Sequence, residues 1–426
     1  MNADEFDFVA LQDLRVGLFV DLDLGWLAHP FSSSRFKIAN DRQIEVLRGL
    51  GVDRIRFVPS KSDAVERTAP LEPAPDTSAQ NLPKDEDPAR ALREQRAALR
   101  SAQQASLQHC ERRFAESSEQ YRKVVAMVES KPADAARMSQ ALVADMAAEI
   151  ASQGDSAIRL LTEVAGDKAA MHPVNVTVIS LLLGRAMGLQ GEALTQLGTA
   201  AFLHDVGKSR LPERVRRWEE NFSASEQKVY QDHVGESVQL AKQMGLGEGV
   251  VTAIAQHHEM VDGSGFPMRL KQDALECNGR ILALVNRYDG LCNPAKPGSA
   301  MTPHEALALI FAQQKTRFDS VALSAFIRMM GVYPPGSVVQ LNDERHAMVV
   351  SVNSARPLKP RVIVHEPAVP RHEAIILDLE QTPNTSIRRS LKPSSLPSGA
   401  LAYLQPRPRI CYFFEPASNT GSAARP

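Results

Sequence analysis

The sequence predicts a mainly α protein: an α-helical bundle with a small α+β domain before it and a short β-rich extension after it. Three observations carry this. Apolar residues recur at spacings of three and four across residues 155–332, the pattern of helices that bury one stripe. Residues 52–58 instead alternate, with Ile55 and Phe57 on one face and Arg54 and Arg56 on the other. After Tyr333-Pro334-Pro335-Gly336 the period changes again, to short β-branched runs.

Taken in order, residues 8–58 form the small α+β domain. Residues 14–20 read as a strand with a glycine bend. Asp41 to Leu50 carries helical spacing through Ile44, Leu47 and Leu50 and stops at Gly51. Residues 59–90 hold prolines at 59, 70, 73, 75, 83 and 88 among Ser, Asp, Glu and Lys, so a disordered linker is expected. Residues 91–153 read as a polar helical segment in two pieces, parted near Pro132. Its sparse apolar positions (Leu92, Leu99, Leu107, Phe114, Tyr121, Val125) fit a homodimer contact and intramolecular packing equally well. Residues 155–332 are the bundle, broken at 188–191, at Pro212 and at Gly263 to Pro267. Residues 333–380 are the β-rich extension, with Val338-Val339, Val349-Val350, Val362-Ile363-Val364 and Ile375-Ile376 as strands. Residues 381–426 are rich in Pro, Ser and Arg and read as a loose tail, apart from an apolar scrap at 410–415.

The bulk numbers exclude several classes. Formal net charge is -1, so no global field draws the chain to a nucleic acid polymer or an anionic membrane. The 4 cysteines are scattered with no C-x-x-C pair, against a disulfide framework or a thiolate zinc site. No apolar run has the length of a membrane span, and the acidic N-terminus lacks a signal-peptide pattern. A soluble, cytoplasmic protein is expected.

The histidines carry the chemistry. His172 starts an apolar helix, His204-Asp205 stands in Leu-His-Asp-Val-Gly-Lys, and His233 stands in Asp-His-Val-Gly-Glu. His257-His258 precedes Glu259 and the run Asp262-Gly263-Ser264-Gly265-Phe266-Pro267. Each falls on a different expected helix, and imidazole with carboxylate ligands from facing helices suits a divalent metal in a bundle core. His29, His109 and His304 stand alone and read as surface or structural residues.

These residues resemble the HD-GYP family, a subgroup of HD-domain phosphohydrolases. The resemblance rests on His172, the His204-Asp205-Val206-Gly207-Lys208 run, His233-Val234-Gly235, and His257-His258-Glu259 with Asp262-Gly263 and Gly265-Phe266-Pro267. It covers residues 155–332. The pattern Val16-Gly17-x-x-Val20 with Trp26, His29, Pro30 and Phe31 is similar to a small domain that often precedes this family, and the strands after Tyr333 resemble its usual extension. The resemblance implies an HD-type bundle and a cyclic di-GMP phosphodiesterase yielding pGpG or GMP. It implies two divalent metal ions, iron or manganese, held by His172, His204, Asp205, His233, His257, His258 and Asn286, with Asp205 shared between them. The ions activate a water and clamp the phosphodiester. Lys208 neutralises phosphate charge, and Gly265, Phe266, Pro267 and Lys296 border the substrate. GGDEF-type diguanylate cyclases are the implied protein partners.

The chain departs from the family at four points. Asn286 stands where a metal-binding aspartate is usual, and brings no charge. Pro294-Ala295-Lys296-Pro297 replaces an Arg-Pro-Tyr-Arg run that grips phosphates, leaving Lys296 without a bidentate fork. Phe266 replaces tyrosine. Lys168 replaces a glutamate that holds a third metal in some members, so none is expected here. A module that binds nucleotide or partner proteins without turnover is the alternative reading.

Overall fold

The structure is a computed structural model describing residues 7–22, 35–48, 54–63, 88–152, 155–162, 170–219, 221–382 and 384–417. The Trp26–Phe31 pattern, Lys168 and most of the expected linker lie outside these residues. The chain divides into two units, residues 1–98 and 99–426.

In the first unit, β1 (Asp7–Ala10), β2 (Phe19–Asp21), β3 (Arg35–Lys37) and β4 (Arg54–Phe57) make an antiparallel sheet in the order β1-β4-β2-β3. Helix α1 (Asp41–Arg48) packs its Ile44 and Leu47 into a core with Leu18, Val20, Ile38 and Ile55. The alternation of residues 54–57 is therefore that of a strand with one buried face.

The second unit is built mainly of helices. Helix α2 (Pro88–Met127) leads into α3 (Pro132–Ser152), and the bundle proper follows with α4 (Met171–Ala186), α5 (Gly191–Leu203), α6 (Ala224–Gln243), α7 (Glu248–Gln256), α8 (Cys277–Cys292), α9 (Pro303–Gln313) and α10 (Ser320–Met330). Helix α4 is buried nearly all round, from Val174 to Gly184, so it forms the central rod. Ser223 with Glu226 and Thr302 with Glu305 form capping boxes at the starts of α6 and α9. The polar segment proves half apolar in its setting. Phe114, Tyr121, Val124, Val143, Met146 and Ile150 of α2 and α3 lie in the same core as α4 and α5, which is intramolecular packing.

Two expectations need correction. The bundle region does not begin with a helix: β5 (Ser156–Leu160) is a strand with every residue buried. The expected loose tail is also built in. With β6 (Val338–Leu341), β7 (His346–Asn353), β8 (Arg361–Val364) and β9 (Ile376–Asp378), the tail's β10 (Ile387–Leu391) and β11 (Tyr412–Pro416) complete a seven-stranded antiparallel sheet containing β10-β6-β7-β5-β11. Helix α11 (Ser398–Leu404) lies between them in sequence and buries Ala400 and Leu404. Tyr412, Phe413 and Phe414 are fully buried, and β11 pairs with β5 along its whole length. A strand buried on both faces has no alternation to betray it. Among the described residues no helix is long and apolar enough to cross a membrane.

Candidate metal centre

The bundle delivers its ligands from helix ends and one helix middle. His172 is in the first turn of α4, His204 caps the C-terminus of α5 with Asp205 next, His233 is inside α6, and His257 caps α7 with His258 next. A helix end frees the following residue from the helical track, so the adjacent pairs His204-Asp205 and His257-His258 can each point both side chains inward. Gly207 makes the packing possible. A Cβ there would meet the Ser237 amide nitrogen at 2.3 Å and the His233 carbonyl oxygen at 2.5 Å, so only glycine lets this turn lie against α6.

Asp205 is the centre of the arrangement. Its Oδ2 lies 3.5 Å from His172 Nε2 and 3.4 Å from His204 Nε2. Its Oδ1 lies 3.4 Å from His233 Nε2 and 3.8 Å from His257 Nε2. Two groups thus share one carboxylate: His172, His204 and Asp205, and Asp205, His233, His257 and His258, with the ligand atoms of each within 4.8 Å of one another. Within them His172 and His204 bring their Nε2 atoms to 3.2 Å, as do His233 and His257.

The imidazoles are already turned for metal. His204 and His257 donate from Nδ1 to the carbonyls of Ala201 and Ile254, at 2.7 and 2.6 Å, and His233 does the same to Tyr230. His172 donates from Nδ1 to Asp289 Oδ2 at 2.6 Å. Each of these bonds puts the proton on Nδ1 and leaves the Nε2 lone pair facing Asp205. Asp289 is itself held by Asn175 and Asn293, at 2.8 and 2.9 Å. Two buried atoms, Asp205 Oδ1 and His258 Nε2, have no hydrogen-bond partner. A buried carboxylate oxygen and an imidazole nitrogen left unsatisfied are expensive unless a cation joins them. The donor set therefore fits divalent metal.

Electrostatics agree. Burial pushes the Asp205 carboxyl up, but Lys208, His204 and His233 outweigh it and hold it well below the usual carboxylate range. Burial, aided by Lys208, pushes His233 down to about 4. Burial first and the neighbouring imidazoles second hold His257 and His258 well below the ordinary value. A neutral imidazole and an ionised carboxylate are the forms that ligate. Burial pulls Lys208 down, but Asp205 outweighs it and raises its pKa, with Nζ 2.5 Å from Oδ2.

The loop after His258 is tied to the cluster. Glu259 is buried and accepts the amides of Met268, Arg269 and Leu270 at 2.6, 3.1 and 2.9 Å. A Cβ on Gly265 would meet the Met260 nitrogen at 2.4 Å, so the chain doubles back only through glycine. This seats the Phe266 ring on His258, stacked at 4.4 Å.

A cavity of about 1050 Å³ opens beside the cluster. His172, Asp205, Lys208, His257, His258, Phe266 and Asn286 line it, whereas Gly265 and Pro267 are not in the lining. Asn286 is inside α8, one turn before Asp289, with Nδ2 3.5 Å from the His257 carbonyl oxygen. Lys296 is not brought to the lining; its Nζ is 3.1 Å from Glu219. His304 donates to the Val332 carbonyl or stacks on Tyr333, a structural place, and His109 sits against Glu149 and Arg112. The sequence reading missed Trp218 and the arginines 217, 287, 317 and 409, all of which line the cavity. No motif holds them, because they come from four separate parts of the chain. Asp289 was within reach, since three residues after Asn286 is the same helix face.

Known proteins match along most of the chain. An HD domain matches residues 122–321, a domain of unknown function (DUF3391) residues 8–138, and a KOW domain associated with HD domain residues 338–399. A cyclic di-GMP phosphodiesterase of Pseudomonas aeruginosa is 25% identical over 368 residues, covering 84% of this chain and 84% of that protein. A cyclic di-GMP phosphodiesterase of Borreliella burgdorferi is 20% identical over 229 residues, covering 53% of this chain and 60%, under two thirds, of that protein. Among solved structures, an HDG"Y"P protein from Bdellovibrio bacteriovorus covers 76% of this chain and 98% of its own at 14% identity, with a TM-score of 0.43.

Proposed function

Because the chain belongs to the HD-GYP family of HD-domain proteins, with a DUF3391 domain before the HD domain and a KOW domain after it, we propose that it is a metal-dependent phosphodiesterase that hydrolyses cyclic di-GMP to pGpG or GMP. The observation that carries this is Asp205. Its two oxygens face two separate histidine groups, and Oδ1 has no hydrogen-bond partner.

Two divalent ions, iron or manganese, supply a nucleophilic water at neutral pH and a positive clamp on phosphate oxygens. This chain's residues do the rest. His172 and His204 would hold one ion, and His233, His257 and His258 the other, with Asp205 available to both and Asn286 offering its amide oxygen. Lys208 reaches Asp205 Oδ2 at 2.5 Å and lines the cavity, so its ammonium can pass to a phosphate oxygen as substrate arrives. Phe266 covers His258 and gives the substrate an apolar wall without a hydroxyl. A cytoplasmic location belongs to the same reading; the 4 cysteines include no C-x-x-C pair.

The test is to load the protein anaerobically with iron or manganese, add cyclic di-GMP and follow pGpG and GMP by chromatography. Turnover that vanishes in the His204→Ala/Asp205→Ala double variant is expected. No turnover with two ions bound overturns the enzyme. One observation favours a second reading, a module that binds nucleotide or a GGDEF-type cyclase without turnover: Asn286 leaves the metal centre a ligand set poorer by one charge. In that case purified protein holds at most one equivalent of metal and captures the cyclase equally well with or without it.

A further inference from the structure

The cavity beside the histidines is lined by several arginines, four of which have no ion pair among the described residues. Arg217 follows the turn after Leu211, Arg287 lies in α8, Arg317 lies between α9 and α10, and Arg409 precedes β11; all four line the cavity. Other arginines are ion-paired: Arg214, in the same lining, with Glu226, Arg280 with Asp319, Arg361 with Asp378. The cavity four are not. Arg287 donates only to the amide oxygen of Gln314, at 3.2 Å. Arg217, Arg317 and Arg409 have no side-chain hydrogen bond or ion pair among the described residues. Glu219 lines the same wall, and Lys296 takes it. Arg287 is half-buried, and Arg317 stands near enough to repel it. Glu213 also lines the cavity and Asp262 lies within electrostatic reach of Arg317, but four arginines without an ion pair outnumber them, and like charges drawn together beside a cavity make a site for an anion.

A second feature lies in the same wall. Trp218 is 43% exposed, although Phe222 and Tyr230 pack against its ring at 5.5 and 5.4 Å. A large aromatic face open to a cavity beside cations is a platform for a base. The volume, about 1050 Å³, is at the upper end of the ~300–1,000 Å³ common for small-molecule sites, more than one phosphodiester needs.

We propose that Arg287 and Arg317, with Arg217 and Arg409 at the rim, grip the phosphate that is not being cleaved, and that Trp218 stacks one base. The substrate is then a nucleotide carrying two phosphodiesters, and these arginines do from four elements what one contiguous run would otherwise do. This rests on the proposed phosphodiesterase and assigns its substrate grip.

The test is equilibrium binding of a hydrolysis-resistant phosphorothioate analogue of cyclic di-GMP to the metal-loaded full chain, by calorimetry. Arg287→Gln/Arg317→Gln raises Kd about tenfold to a hundredfold, the cost of one to two charge-assisted contacts. Arg317→Gln alone, at an exposed position that leaves the core intact, raises it about tenfold. Trp218→Ala also weakens binding, whereas Arg210→Gln, outside the cavity lining and paired with Glu236, does not. Metal content and melting temperature are read on every variant. Wild-type protein that binds the analogue while both arginine variants bind it within about twofold overturns the grip alone. Wild-type protein that does not bind it overturns the phosphodiesterase and the grip together.

Discussion

The two sides of Asp205 are built to different standards. On the Oδ1 side stand His233 and His257, both fully buried, with His258 beside them. His233 and His257 are fixed by carbonyls of their own helices, and the oxygen they face has no hydrogen-bond partner. On the Oδ2 side stand His204, fully buried, and His172, whose side chain is 25% exposed to the cavity. His172 is held by a distant helix through Asp289, and Lys208 already sits on the oxygen. The next group on that face of α8 is Asn286, a neutral amide. Although His257 and His258 also line the cavity, the Oδ1 side is thus the more closed, preorganised set, and the Oδ2 side the more open one, short of a charge. In a two-ion centre the open side is where substrate enters.

The largest effect breaks both sides together. Asp205→Asn removes the one anion the groups share. Both ions are expected to be lost on dialysis, and cyclic di-GMP turnover to fall by at least about a thousandfold. A variant that kept one ion and a tenth of the activity would show that the carboxylate is not shared.

Next comes Asp289→Asn, which acts on the open side only. It keeps the shape but cannot accept the His172 proton as strongly, so the ring loses its fixed tautomer. The weaker ion should bind about ten- to a hundredfold less tightly while the tighter ion stays, which elemental analysis against a chelator series would reveal. Equal loss of both ions would remove the distinction between the sides.

Asn286→Asp works in the opposite direction. It adds a charge at the cavity wall, and ligand charge tunes affinity for divalent ions. Metal titration of wild type should show two steps. In the variant the second step should move about tenfold toward the first, with higher turnover. An unmoved second step would take Asn286 out of the ligand set.

The same contrast explains what the sequence could reveal. The histidine cluster was legible because paired His-Asp and His-His at helix ends have few other uses, and Gly207 and Gly265 stand beside them in the same short runs. The helices were legible from their apolar stripes. Strand β5 and the tail were not, since Ala157-Ile158 and Phe413-Phe414 are buried on both faces and carry no period. The arginine wall was invisible for a different reason. Arg217, Arg287, Arg317 and Arg409 meet only through tertiary packing. A missing local run can therefore be read from sequence, while a cluster assembled from four elements cannot.

The smallest effect concerns protons on the closed side. Without metal, burial holds His233 at about 4, and His257 and His258 well below their ordinary value. In the unfolded chain they titrate near ~6.5. Their neutral forms therefore favour the fold fully above that pH. As pH falls from ~6.5 toward 4 the unfolded state takes up protons first, and stability drains away. Metal-stripped protein should lose several degrees of Tm between pH 7 and 5, followed by calorimetry. His258→Leu removes one of the three groups, so its Tm should fall less over the same interval. A slope unchanged by that substitution would place the acid-sensitive groups elsewhere and leave the closed side distinguished by its geometry alone.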